Sequence, residues 1–173
     1  MSLRELFKSG ISFAEVLNKS DEPYRNKCEE IMNKIKLDET TLNKIKSIKK
    51  KVNILAFAEI WCPDCQINLP AVDVIARNND NIDFKIVPRE GNESFMETYK
   101  IDGKVKIPTL IIMDEDFNEM GSFIEVPQII RDVINRGNQV ELIVAKREYR
   151  NGKYIINSIE EILDIVTKKD VFI

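Results

Sequence analysis

The sequence predicts an α/β protein: a mixed central sheet flanked by helices, with helical extensions at both ends. Two observations carry this. From residue 52 to residue 133, short apolar runs of strand length alternate with stretches of helical period, in the order β-α-β-α-β-β-α. On either side of that segment the apolar residues recur at helical spacing only. With 173 residues, 43% of them hydrophobic, the chain can bury a core without a disulfide scaffold.

The leading residues read as helices. Ser12-Phe13-Ala14-Glu15 has the form of a capping box and opens a short helix through residue 17. Cys28, Ile31, Met32 and Ile35 fall at i, i+3, i+4 and i+7, one apolar face of a helix over residues 23–36. Asp38 is placed to cap a third helix that turns Leu42, Ile45 and Ile48 inward. The period then changes. Residues 52–58 (VNILAFA) form a nearly continuous apolar run, as in a strand covered on both faces. Glu59, Ile60 and Trp61 make a turn, and Cys62 opens a helix to residue 77. A strand over 82–87, a helix over 92–99 and strands over 109–113 and 119–124 follow, and Pro127 fits the first turn of a helix through 133. Two crossover units, a hairpin and a closing helix make the sheet mixed. Beyond Gly137, helices are expected over 139–150, ending at Asn151-Gly152, and over 159–168, capped by Ser158 with Glu161. The chain thus divides into a helical N-terminal extension (1–50), an α/β core (51–136) and a helical C-terminal extension packed on that core (137–173).

Composition narrows the function. A net charge of −3 argues against a general affinity for nucleic acid, and the lysines from Lys44 to Lys51 read as the wet face of a helix. No run of about 20 apolar residues is present to span a membrane. Residues 1–8 lack the apolar centre of a signal peptide, so a cytoplasmic location is expected. Three cysteines allow one intramolecular disulfide at a time, which is not the pattern of a stapled secreted fold. The absence of histidine removes Ser-His-Asp and Cys-His hydrolysis and the common Cys/His zinc sites.

Against that background Cys62-Pro63-Asp64-Cys65 stands out, because it lies where a strand hands over to a helix within a βαβ unit. A thiolate at Cys62 would face the positive end of the helix dipole and the unpaired N–H groups of the first turn, which lowers its pKa below the free value of about 8.5. Cys65, one turn along, can reach Cys62 and close a disulfide. Half a zinc site or a disused redox motif are the blander readings; zinc needs about four ligands, and Cys28 is the one other cysteine. Cys28 itself reads as a small core residue on its apolar helix face.

Trp61-Cys62-Pro63-Asp64-Cys65 resembles the active-site segment of the thioredoxin superfamily in its Trp-Cys-x-x-Cys form. Pro70 resembles the proline that kinks the active-site helix there, and Ile107-Pro108-Thr109 resembles the cis-proline segment that approaches the disulfide and pairs with substrate backbone. The resemblance covers roughly residues 52–133 and looks like a bacterial thioredoxin-like branch. It implies a thioredoxin-like fold and a thiol–disulfide oxidoreductase with Cys62 as nucleophile and Cys65 as resolving thiol. It implies a substrate groove at Trp61, Pro63, Ile107 and Pro108, a disulfide-bearing protein or small-molecule substrate, and an electron-donor reductase or small thiol as partner. No cofactor and no metal are expected.

Two departures from the family pattern bear on mechanism. Its buried proton-handling Asp corresponds to Ala56 here, and the nearest acid, Glu59, is either a solvated turn residue or a proton shuttle. The glycine that opens the family's peptide groove falls near Ile124 or Glu125. Asp64 sets a carboxylate inside the motif, which disfavours the thiolate and biases the pair toward reduction of others. The alternative is a thioredoxin-like binding module whose cysteines hardly turn over.

Overall fold

Strand β1 (Val52–Phe57) is buried at every position, as an unbroken apolar run requires of a strand covered on both faces. In the computed structural model, which describes residues 1–168, β1 pairs in parallel with β2 (Ile82–Val87) and antiparallel with β3 (Thr109–Met113). Strand β4 (Glu119–Ile124) lies antiparallel to β3, so the sheet order is β2-β1-β3-β4. The sheet is mixed, as predicted, with one difference: only the first of the two expected crossovers is parallel. Thr109 begins β3 opposite Phe57, at the end of the sheet where β2 also stops. The chain between β2 and β3 therefore returns at that same end instead of crossing the sheet. This is what sets Pro108 beside the start of the helix that follows β1.

Four helices precede the sheet: α1 (Leu3–Ser9), α2 (Phe13–Lys19), α3 (Glu22–Lys34) and α4 (Glu39–Lys46). Helix α1 falls within the expected helical extension, and its span is marked by Ser2 and Glu5, which form the same reciprocal capping box that Ser12 and Glu15 form on α2. Asp38 caps α4 as predicted, accepting from the Thr41 N–H at 2.7 Å. Between α1 and α2 the chain touches the sheet: Ile11 and Ile86 exchange two backbone hydrogen bonds of 3.0 and 2.9 Å along the outer edge of β2. The approach is close enough that a Cβ on Gly10 would stand 2.9 Å from Cβ of Lys85.

Helix α5 (Pro63–Arg77) packs against β2, α3 and the last helix, and is buried without a break from Cys65 to Asp73. The segment expected as a helix over 92–99 is a 3₁₀ helix, Glu93–Tyr99. Helix α6 (Gln128–Arg136) takes Pro127 as its cap and runs to Gly137, whose φ of +70° ends it in the left-handed region open to glycine. Helix α7 (Gln139–Arg150) matches its predicted span, with Asn138 capping it. Helix α8 (Ile155–Thr167) corrects the reading at Ser158: the helix starts a turn earlier and Ser158 lies inside it, buried. Ile155, Ile159, Ile162 and Val166 already keep one apolar face in the core, and that burial outweighs the local capping signal. Among the described residues no helix is long and apolar enough to cross a membrane.

Candidate active site

The turn after β1 is closed by the Cys62 N–H donating to the Glu59 carbonyl at 3.0 Å. Cys62 caps α5 in extended backbone, and Pro63 takes the first helical position, where an N–H would have no intrahelical partner. Cys62 and Cys65 are free thiols that lie 3.8 Å apart. Cys62 keeps 7% of its surface and Cys65 none, so a reagent from solvent meets Cys62 first. The Ile107–Pro108 peptide bond is cis, as expected, and the Cys62 thiol donates to the Ile107 carbonyl at 3.7 Å. Trp61, 55% exposed, forms the outer rim with Pro63. On its far side Trp61 borders an open groove of about 470 Å³ shared with Ile11, Tyr24 and Val87.

The two thiols differ electrostatically. The Cys62 pKa is lowered to about 7, first by a hydrogen bond from the Cys65 thiol; burial opposes this, the Cys65 and Asp64 N–H groups assist, and the Asp64 carboxylate opposes. The helix N-terminus helps as predicted, but the neighbouring thiol is the larger influence. Cys65 is held well above the usual thiol range, first by burial and then by its hydrogen bond to Cys62. Asp64 is pushed up to about 6, by burial first and the Glu125 carboxylate second, against the pull of Arg150, Lys146 and Lys106. Cys28, buried in α3, is pushed up to about 12, mainly by burial.

Glu59 is turned away from the thiols. Its Oε1 accepts from the N–H groups of Arg89 and Glu90 at 2.9 and 3.3 Å, and it is the Glu59 main chain that bonds toward Cys65. Ala56 is fully buried in β1, so the chain offers no carboxyl at that position.

Two residues that the sequence did not single out, Asn68 and Tyr149, complete the site together with Glu125, which the sequence marked only as the place of a missing groove glycine. Asn68, fully buried one turn beyond Cys65, directs its Nδ2 to the Asp64 carbonyl (3.0 Å), the Glu125 carbonyl (2.9 Å) and the Tyr149 hydroxyl (2.7 Å). Tyr149 comes from α7, and burial holds its hydroxyl well above the usual tyrosine range. Glu125 donates its N–H to the Pro108 carbonyl at 2.8 Å and pairs its carboxylate with Lys106 at 2.9 Å. A lone amide between Ile67 and Leu69 in a buried helix was the one local signal of this network, since a buried polar group needs partners.

The sequence profile of the thioredoxin family matches residues 10–143. The chain belongs to the thioredoxin family. As a whole, this thioredoxin-family protein is similar to a Pseudomonas aeruginosa protein of unknown function, 28% identical with a TM-score of 0.86 over 98% of this chain and 99% of that one. It is similar also to an HIV epitope-scaffold, 26% identical with a TM-score of 0.84 over 97% of this chain and 99% of that one. No curated protein sequence matches it significantly. Both structural likenesses run nearly end to end, so the helices outside the sheet are shared with these two structures.

Proposed function

We propose that this protein is a dithiol–disulfide oxidoreductase that works in the reducing direction. One observation carries the reading: a reachable thiol with a pKa near 7 stands 3.8 Å from a second thiol sealed from solvent. The Cys62 thiolate attacks one sulfur of a target disulfide, forming a mixed disulfide while the other target sulfur leaves and takes up a proton. Cys65 then loses its proton and attacks Cys62 Sγ. The second target thiol departs, and two electrons have passed to the target at the cost of a Cys62–Cys65 disulfide. An electron-donor reductase or a small thiol returns two electrons and two protons.

The Cys65 proton needs an acceptor, and Ala56 supplies none. We assign that role to Asp64, whose pKa of about 6 leaves it mostly ionised at neutrality yet easily protonated. A nucleophile pKa near 7 is that of a reductant such as thioredoxin, far from the value of about 3.5 found in a strong oxidant. The substrate is a disulfide-bearing protein or small molecule, and a reducing compartment such as the cytoplasm suits the direction. A binding module is the second reading, favoured by the exposed Ile129, Ile134, Val140, Ile143 and Val144 on α6 and α7.

A redox titration with free thiols counted by alkylation tests the reading, together with trapping. Cys62 and Cys65 are expected to titrate as one two-electron couple. Cys65→Ser should accumulate a mixed disulfide with a model substrate and Cys62→Ser none. A protein with no such couple and no trapped adduct is a binding module.

A further inference from the structure

Glu125 occupies a backbone conformation that glycine adopts freely and glutamate does not, with φ at +62°. Asp102 and Phe117 are the other non-glycine residues of positive φ among those described, and of the three Glu125 is bonded into the walls around the dithiol. Its main chain is clamped on both sides. The N–H is held by the Pro108 carbonyl at 2.8 Å, and the carbonyl by Asn68 at 2.9 Å. Asn68 in turn reaches the Asp64 carbonyl within the motif. The Glu125 Cα therefore cannot draw back from the site.

The side chain is fixed as well. Lys106 holds the carboxylate at 2.9 Å, and both partners are about three-quarters buried. Lys106 directly precedes Ile107, whose carbonyl touches the Cys62 thiol. The ion pair thus joins the turn after β4 to the segment before Pro108, beside the approach to Cys62, while Trp61 rims the motif just ahead of it. We infer that the Glu125–Lys106 pair is a specificity-determining wall of the dithiol site: it admits slender disulfides, whether small molecules or extended peptides, and holds off disulfides set in a bulky folded surface. The pair is neutral as a unit, so the selection is one of shape. The inference rests on the dithiol reading above.

The test compares kcat/KM for insulin, a bulky protein disulfide, with kcat/KM for bis(2-hydroxyethyl) disulfide, a small uncharged one. Glu125→Gly removes the wall at a position whose backbone suits glycine, and Lys106→Ala frees the carboxylate without touching that backbone. The insulin-to-small ratio is expected to rise about tenfold in each variant, the scale on which pocket contacts discriminate substrates. Using a ratio removes effects common to both substrates, including any change at Asp64. Labelling of Cys62 by a polyethylene-glycol maleimide relative to N-ethylmaleimide should rise in parallel. If the unaltered protein reduces the small disulfide and neither variant moves either ratio by more than about twofold, the wall is overturned while the dithiol reading stands. If the unaltered protein reduces neither disulfide, the dithiol reading itself falls.

Discussion

Cys62 and Cys65 lie 3.8 Å apart, yet the fold leaves the first thiol a narrow opening to solvent and seals the second, and the hydrogen bond between them favours the thiolate of Cys62 at the expense of that of Cys65. On the proposed dithiol reading, burial thus separates nucleophile from resolving thiol before any substrate arrives.

Alkylation should report this asymmetry. In reduced protein, limiting iodoacetamide is expected to label Cys62 with a pH midpoint of about 7 and to spare Cys65 and Cys28. Cys65→Ala should move the midpoint upward, because the largest influence lowering it is gone. Peptide mass spectrometry reads both results, and equal labelling of all three thiols would count against the assignment.

Asp64→Asn should make the protein more oxidising above pH 6, since the carboxylate opposing the Cys62 thiolate is removed. Below pH 6 the unaltered Asp64 is itself protonated, and the two potentials should converge. A constant difference across that range would exclude Asp64 titration as its source.

The same substitution bears on stability. The Asp64 pKa rises from an ordinary 3.8 to about 6 in the fold, so the folded state binds this proton more tightly than the unfolded chain does. The stabilising contribution is complete below pH 3.8 and is lost as pH rises through 6. That gap corresponds to up to roughly 3 kcal/mol. Urea denaturation at pH 5 and pH 8 should show Asp64→Asn gaining on the unaltered protein at the higher pH.

Asn68 should matter more than the tyrosine it holds. Asn68→Ala removes the donor shared by the Glu125 carbonyl and the Tyr149 hydroxyl and is expected to cost about 2 kcal/mol. Tyr149→Phe leaves both Asn68 N–H groups with carbonyls of Asp64 and Glu125, so about 1 kcal/mol is expected. The opposite ranking in thermal denaturation would make Tyr149 the centre of the network.

Gly10→Ala should loosen the contact between the leading helices and the sheet. The added Cβ meets Cβ of Lys85 at 2.9 Å and the Ile86 carbonyl at 3.2 Å, neither of which can swing aside, and overpacking of this kind costs about 1–3 kcal/mol. Faster hydrogen exchange at the Ile11 and Ile86 amides would locate the damage.

What the sequence made legible was local. The apolar run of β1, the motif at its end and the Ile107-Pro108-Thr109 segment each carry their meaning within a few residues. Ser158 shows the limit: it shares the capping-box spacing of Ser2 and Ser12, but lies mid-helix because the apolar face beginning at Ile155 is pulled into the core. Glu59 shows the limit at the site. It is three residues from Cys62 in sequence, and the turn points its carboxylate at residues 89 and 90. Asn68, Glu125 and Tyr149 are far apart along the chain, and only tertiary packing makes them neighbours. Periodicity has no access to such a relation.

The bridge between Ile11 and Ile86 sets an order of events. On a ribosome Ile11 emerges long before its partner, and until β2 exists α1 has no sheet to lie against. Helices α1 and α2 therefore cannot dock on the sheet until β2 has formed. During that interval their apolar side chains, Leu6, Phe7 and Phe13, which end up buried, are open to chaperones and proteases.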